Sequence, residues 1–140
     1  MMADNLLALA DRKPTLVSAH NGHLQRSKGT MRMDGRPLRW WSAGAIVAAH
    51  LGDGYAFLAT AVGTLRHRGV DAPPPDTIEG ILYALPRDRF LVDARQLAAV
   101  VREAQPVPRV SPWFGYAPLD PTPTATHDGV IFVRDVPPPA

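Results

Sequence analysis

Two imidazoles three residues apart are the densest chemistry in this chain. They are His20 and His23, in the run His20-Asn21-Gly22-His23. A neutral imidazole, with an ordinary pKa of about 6.5, can take a proton from water near neutral pH. A second histidine beside it can hold a substrate oxygen, donate to a leaving group, or orient the first. A metal pair is the other chemistry open to two histidines. It would need a third ligand, and His127 or Asp128 would have to come near through the fold. Acid–base work needs no such ligand and is preferred, so no metal and no cofactor is expected.

Other chemistries lack their signatures. There are no cysteines, hence no disulfide framework and no thiolate zinc site. The chain has no G-x-S-x-G elbow, no Gly-rich phosphate loop and no H-E-x-x-H. With 15 basic and 13 acidic residues the net charge is only +2, which implies no nucleic-acid partner. The apolar runs are too short to cross a membrane, and no signal peptide is visible. A cytoplasmic protein is the expectation. The other histidines have bland readings: His50 falls in the last turn of an expected helix, and His67 lies between Arg66 and Arg68 as a surface residue.

Something must position the histidine pair. The 140 residues suit one domain. Thr15 to Ala19, apolar and β-branched, reads as a buried strand running into the Asn-Gly turn. That would set the histidines at the carboxyl end of a strand, where α/β proteins collect their chemistry. Leu24 to Arg39 is basic, with Gly29 and Gly35, and reads as a loop, either a solvated connection or a binding loop flanking the site.

Further strands are expected over Tyr55–Val62, Arg89–Val92 and Gly129–Val133. Helices are expected near Met2–Ala10, Ser42–Leu51, Thr77–Leu85 and Ala94–Ala104. Small residues around Gly44 suggest close packing of the second helix on a sheet. Asp76 with Glu79, and Asp93 with Gln96, have capping-box spacing. Pro106 to Pro123 reads as a long loop broken by Trp113-Phe114-Gly115-Tyr116, and Pro137 to Ala140 as a frayed tail. The alternation of helix and strand argues for an α/β fold with a mainly parallel sheet and flanking helices.

Ser18-Ala19-His20-Asn21-Gly22-His23, preceded by Met2-Ala3-Asp4-Asn5, resembles the erythromycin esterase family. The Ala43-Gly44 helix, the Gly52-Asp53-Gly54-Tyr55 turn, Arg89-Phe90-Leu91-Val92-Asp93, the Trp113–Tyr116 stretch and the closing Gly129–Asp135 run fit its pattern in order. The resemblance implies an erythromycin esterase-like C-terminal portion over residues 1–136, with 137–140 as a Pro-rich tail. It also implies a partial copy of a larger fold, whose N-terminal part carries its own essential histidine, glutamate and arginine positions. The implied reaction is hydrolysis of a macrolide lactone ester by histidine-activated water, giving antibiotic resistance. His20 and His23 are the catalytic residues that follow from it; Asn21 and Arg26, beside them, are expected to bind substrate. The poorly capped first helix agrees with a missing front part. The competing expectation is an inactive remnant or interaction module that self-associates or pairs with the missing portion.

Overall fold

The computed structural model describes residues 2–33, 36–122 and 127–140. The expected features at Met1, Gly35 and Pro123 lie outside the described residues. The chain forms two compact units, Met1–Phe57 and Leu58–Ala140.

The first unit is built from α1 (Met2–Ala10), a single helical turn α2 (Asn21–Leu24), strands β1 (Gly29–Met33) and β2 (Arg36–Trp40), and α3 (Ala43–Leu51). Helix α3 begins at Ser42, whose Oγ accepts from the Ala45 N–H at 3.0 Å. It ends at Gly52, whose φ of +52° suits a residue without a Cβ. Both α1 and α2 pack on α3.

Two expectations fail in this unit. Thr15–Ala19 forms no strand and pairs with none among the described residues, and Leu16 is 97% exposed. A strand is stabilised by cross-strand neighbours as much as by its own residues, and here the ladder is absent. The basic stretch after Leu24 is not a loop. It folds as an antiparallel pair in which Gly29 faces Trp40 and Met33 faces Arg36. Pro37 is tolerated because a two-stranded ribbon has only edge strands.

The second unit holds β3 (Leu58–Thr64), α4 (Ile78–Tyr83), β4 (Arg89–Asp93), α5 (Ala94–Ala104) and β5 (Gly129–Asp135). The strand order is β3-β5-β4. Strand β5 runs parallel to β3 and antiparallel to β4. The sheet is therefore mixed, not mainly parallel. Strand β4 opens at Arg89 opposite Val133, at the end of the sheet where β3 finishes, so it sets off in the opposite direction. Ala59, Ala61, Val130 and Phe132 fill one face of the sheet, and Ile78, Leu82, Ala94 and Leu97 are buried on the two helices. The other face is open: Leu58, Ile131 and Leu91 lie on it, Leu91 at 63% exposure.

Helix starts in this unit are read with one correction. Asp93 caps α5, accepting from Arg95 N and Gln96 N. The start of α4 is Thr77 rather than Asp76: its Oγ1 accepts from the Gly80 N–H at 3.0 Å. The one-residue shift frees Glu79 from capping, and Glu79 is instead fully buried.

Candidate active site

The histidine pair is positioned by hydrogen bonds and close approaches rather than by a sheet. His20 precedes α2 as its cap, and its Nδ1 accepts from the Gly22 N–H at 3.2 Å. The backbone closes the same turn, with His23 N donating to His20 O at 2.9 Å. The two rings sit 5.9 Å apart, centroid to centroid, edge on at 64°. Both are exposed.

Downstream, four residues fix where the turn ends. Ser42 Oγ lies 2.6 Å from the Gln25 carbonyl and 3.0 Å from that of Ser27, so its one proton ties the start of α3 to the end of α2. The Tyr55 hydroxyl donates to Leu24 O. The Arg26 guanidinium donates to Tyr55 O and stacks 5.5 Å from the centre of that ring. Gly44 allows the approach itself: a Cβ there would stand 1.9 Å from the Leu24 carbonyl oxygen. The small residues of α3 do mark close packing, but against this turn and not against a sheet.

The cap determines what His20 can do. A ring nitrogen that accepts a backbone N–H carries no proton, so the neutral ring holds its proton on Nε2. Nε2–H is then the outward-facing donor. Partial desolvation of the ring, and next the neighbouring His23, hold the His20 pKa below the ordinary imidazole value. Protonation would also set an N–H against the Gly22 N–H, which opposes the charged form in the same sense.

His23 opens onto a hollow of about 270 Å³. Its walls include Met2, Trp40, Trp41 and Ile46, with Asp4 as the other ionisable group. Trp40 and Trp41 directly follow the Leu24–Arg39 stretch. Asn21 opens α2 beside the pair, and its carbonyl accepts from Gln25 N. Among the described residues no group of three histidine, aspartate or glutamate side chains could hold a metal ion.

One buried cluster was not foreseen. Glu79 Oε1 accepts from the Tyr116 hydroxyl at 3.0 Å and from Leu119 N at 2.7 Å. Tyr116 in turn accepts from Val62 N at 3.2 Å. Burial, then the charge of Glu79, push the Tyr116 phenol well above its usual range. Arg109 donates to the carbonyls of Val62, Gly63 and Asp71. A carboxylate at 0% exposure meets no substrate water, so this cluster holds the Pro-rich loop to the sheet and α4. The signal was Tyr116, a phenol in an otherwise apolar patch, which when buried needs a partner for its hydroxyl.

Fold and site together define a small α/β protein with an exposed histidine pair on a capped turn. The erythromycin esterase family model matches residues 1–136, and the chain belongs to that family, which relates it to hydrolases. No curated protein and no solved structure matches it. Among the described residues no helix is long and apolar enough to cross a membrane.

Proposed function

We propose that His20 and His23 form the histidine part of an ester- or lactone-hydrolysing site. The observation that carries this is the cap at His20, which separates two roles. With Nδ1 committed to Gly22, Nε2–H of His20 can donate to the carbonyl oxygen of an ester as negative charge develops there. His23 then acts as the base: it removes a proton from water as the water oxygen attacks the carbonyl carbon. The proton passes from imidazolium to the leaving alkoxide as the carbon–oxygen bond breaks. Asn21 and Arg26 are the proposed substrate contacts. The substrate class proposed from family membership is a macrolide lactone, acted on in the cytoplasm, with loss of antibiotic potency as the outcome.

A base alone contributes about 10²–10⁴-fold, and enzymes reach roughly 10⁶-fold or more. We therefore expect this chain to hydrolyse an activated aryl ester slowly and a macrolide at no useful rate. Incubation with each ester, followed by mass spectrometry for the added water, tests this. Turnover of the aryl ester should fall to background in His20→Asn and in His23→Ala. Unchanged turnover in both variants would end the proposal.

One observation favours a second reading, that of an interaction module. Leu16 stands 97% exposed in a β-branched and apolar segment that pairs with no strand among the described residues, a composition suited to adding to another sheet edge. Self-association that disappears in Leu16→Asp, measured by sedimentation, would favour that reading.

A further inference from the structure

The hollow beside His23 has a feature that the hydrolytic chemistry alone does not require. Four apolar side chains, Met2, Trp40, Trp41 and Ile46, are each more than a third exposed around it, Trp40 at 39% and Trp41 at 63%. Exposing large apolar groups together is unfavourable, and a soluble surface that does so commonly marks a binding site. The Trp40 indole is also held in place before any ligand arrives. It lies across Gly29, its partner in the β1–β2 register, where a Cβ would stand 2.4 Å from the ring. Trp41 carries the Lys28 ammonium 4.4 Å from its ring centre, which leaves Trp40 as the better apolar wall. The hydroxyl of Ser42, also in the lining, is consumed by Gln25, Ser27 and Ala45. Among the described residues, His23 and Asp4 are the ionisable groups in the lining.

We propose that this hollow is the subsite for the apolar flank of the ester, a compact ring beside its carbonyl, with Trp40 as its fixed wall and His23 at the carbonyl end. The inference rests on the hydrolytic reading above and names its substrate class. Size supports a flank rather than a whole large substrate: about 270 Å³ lies just below the roughly 300–1,000 Å³ of pockets that enclose drug-sized ligands. The preferred substrate is thus an ester with a compact ring next to the scissile carbonyl. The ring gains by displacing water from the indole faces, and a ligand without it loses that gain.

The chain has three tryptophans, Trp40, Trp41 and Trp113, so the indole N–H resonances carry their own control. The full chain, labelled with nitrogen-15, is titrated with ethyl benzoate and, separately, with ethyl acetate. Saturable shifts of the Trp40 and Trp41 signals, with Trp113 unmoved, are expected for ethyl benzoate. Ethyl acetate should bind at least about tenfold more weakly, since it lacks the ring. Gly29→Val should tilt Trp40 off its seat and weaken ethyl benzoate binding. Ile46→Glu, at an exposed position on α3, should weaken it without disturbing the β1–β2 pair. Non-saturating shifts, parallel movement of all three indoles, equal binding of both esters, or shifts produced by protein concentration alone would each overturn the subsite.

Phenyl acetate hydrolysis is followed on the same samples. Saturation at Trp40 and Trp41 without histidine-dependent hydrolysis would remove the catalytic reading and leave the hollow as a binding site. Histidine-dependent hydrolysis without saturation would remove the subsite alone.

Discussion

In Leu58–Ala140 the backbone is held by a ladder. Strand β5 has a neighbour on each side, and Ala59, Ala61, Val130 and Phe132 are sealed beneath it. In Met1–Phe57 the segment that holds the histidine pair has no ladder. The His20–Ser27 stretch is held by a histidine cap, a shared serine proton, a tyrosine hydroxyl, an arginine and one glycine contact. The first arrangement is stabilised by buried apolar area, which many residues share. The second depends on single polar atoms. Such a region can present two imidazoles to solvent because few apolar side chains are needed to fix it. It also follows that damage should be graded in one unit and specific in the other.

The largest effect should come from the ladder. Phe132→Ala empties the centre of β5, where the ring is fully buried and packs 5.3 Å from Phe90. A loss of about 3–5 kcal/mol is expected, read by urea unfolding. A loss below about 1 kcal/mol would mean the sheet core is not the stabilising element claimed here. Next is Glu79→Ala, which strands the Tyr116 hydroxyl and the Leu119 N–H. Each buried group left without its acceptor costs about 1–3 kcal/mol. Glu79→Gln keeps an oxygen acceptor and should cost visibly less. Equal losses in the two variants would show that the carboxylate charge, which both remove, matters rather than the acceptor oxygen.

In the first unit the comparable test is Gly44→Ala. In an exposed helix interior, alanine for glycine stabilises by about 1 kcal/mol. Here the new methyl meets backbone, the Leu24 carbonyl, which no rotamer change can relieve. Overpacking of this kind costs about 1–3 kcal/mol, so the net change should be a modest destabilisation. Aryl ester hydrolysis should fall with it, because α3 is displaced from the histidine turn. A stabilised variant with full activity would show that the Gly44 contact does not position the site.

These particulars explain what was legible beforehand. Helices α1 and α5 were placed to the residue because a 3.6-residue apolar stripe and a capping Asp93 are local features. Strands β4 and β5 were found because their apolar runs are bounded by turns. Thr15–Ala19 looked just as strand-like, yet a strand exists only with a neighbour, and no local pattern reports whether one is there. Strands β1 and β2 were missed although a signal existed. Apolar Met31, Met33, Leu38 and Trp40 are interleaved with arginines around Asp34-Gly35, a common hairpin dipeptide. Counting charge hid the alternation. The parallel sheet failed on strand direction: the chain re-enters at the end of the sheet where β3 leaves it, which no local pattern reports. The histidine pair was legible as a candidate site, but the Nδ1 cap that His20 makes to Gly22 is a matter of ring geometry.

The smallest effect is the most diagnostic of the histidine turn. His20 is neutral when it caps Gly22, and its pKa lies below the ordinary value of about 6.5. The unfolded chain therefore takes up this proton at higher pH than the folded chain does. The contribution of His20 to stability is present above the unfolded pKa and is lost as pH falls from about 6.5 through the lower folded value. His127 is also shifted downward, by burial, and titrates in the same direction, so the wild-type curve alone does not isolate His20. The comparison with His20→Asn does. Asparagine is a good cap with no titrating group, so it should hold the turn at neutral pH, whereas His20→Ala should cost about 0.5–2 kcal/mol there. Below pH 6 the His20→Asn variant should lose less stability than wild type, while lacking aryl ester hydrolysis at every pH. Parallel wild-type and His20→Asn stability curves from pH 7.5 to pH 5 would show that the imidazole is not the cap of this turn, and the division of roles between His20 and His23 would fall with it.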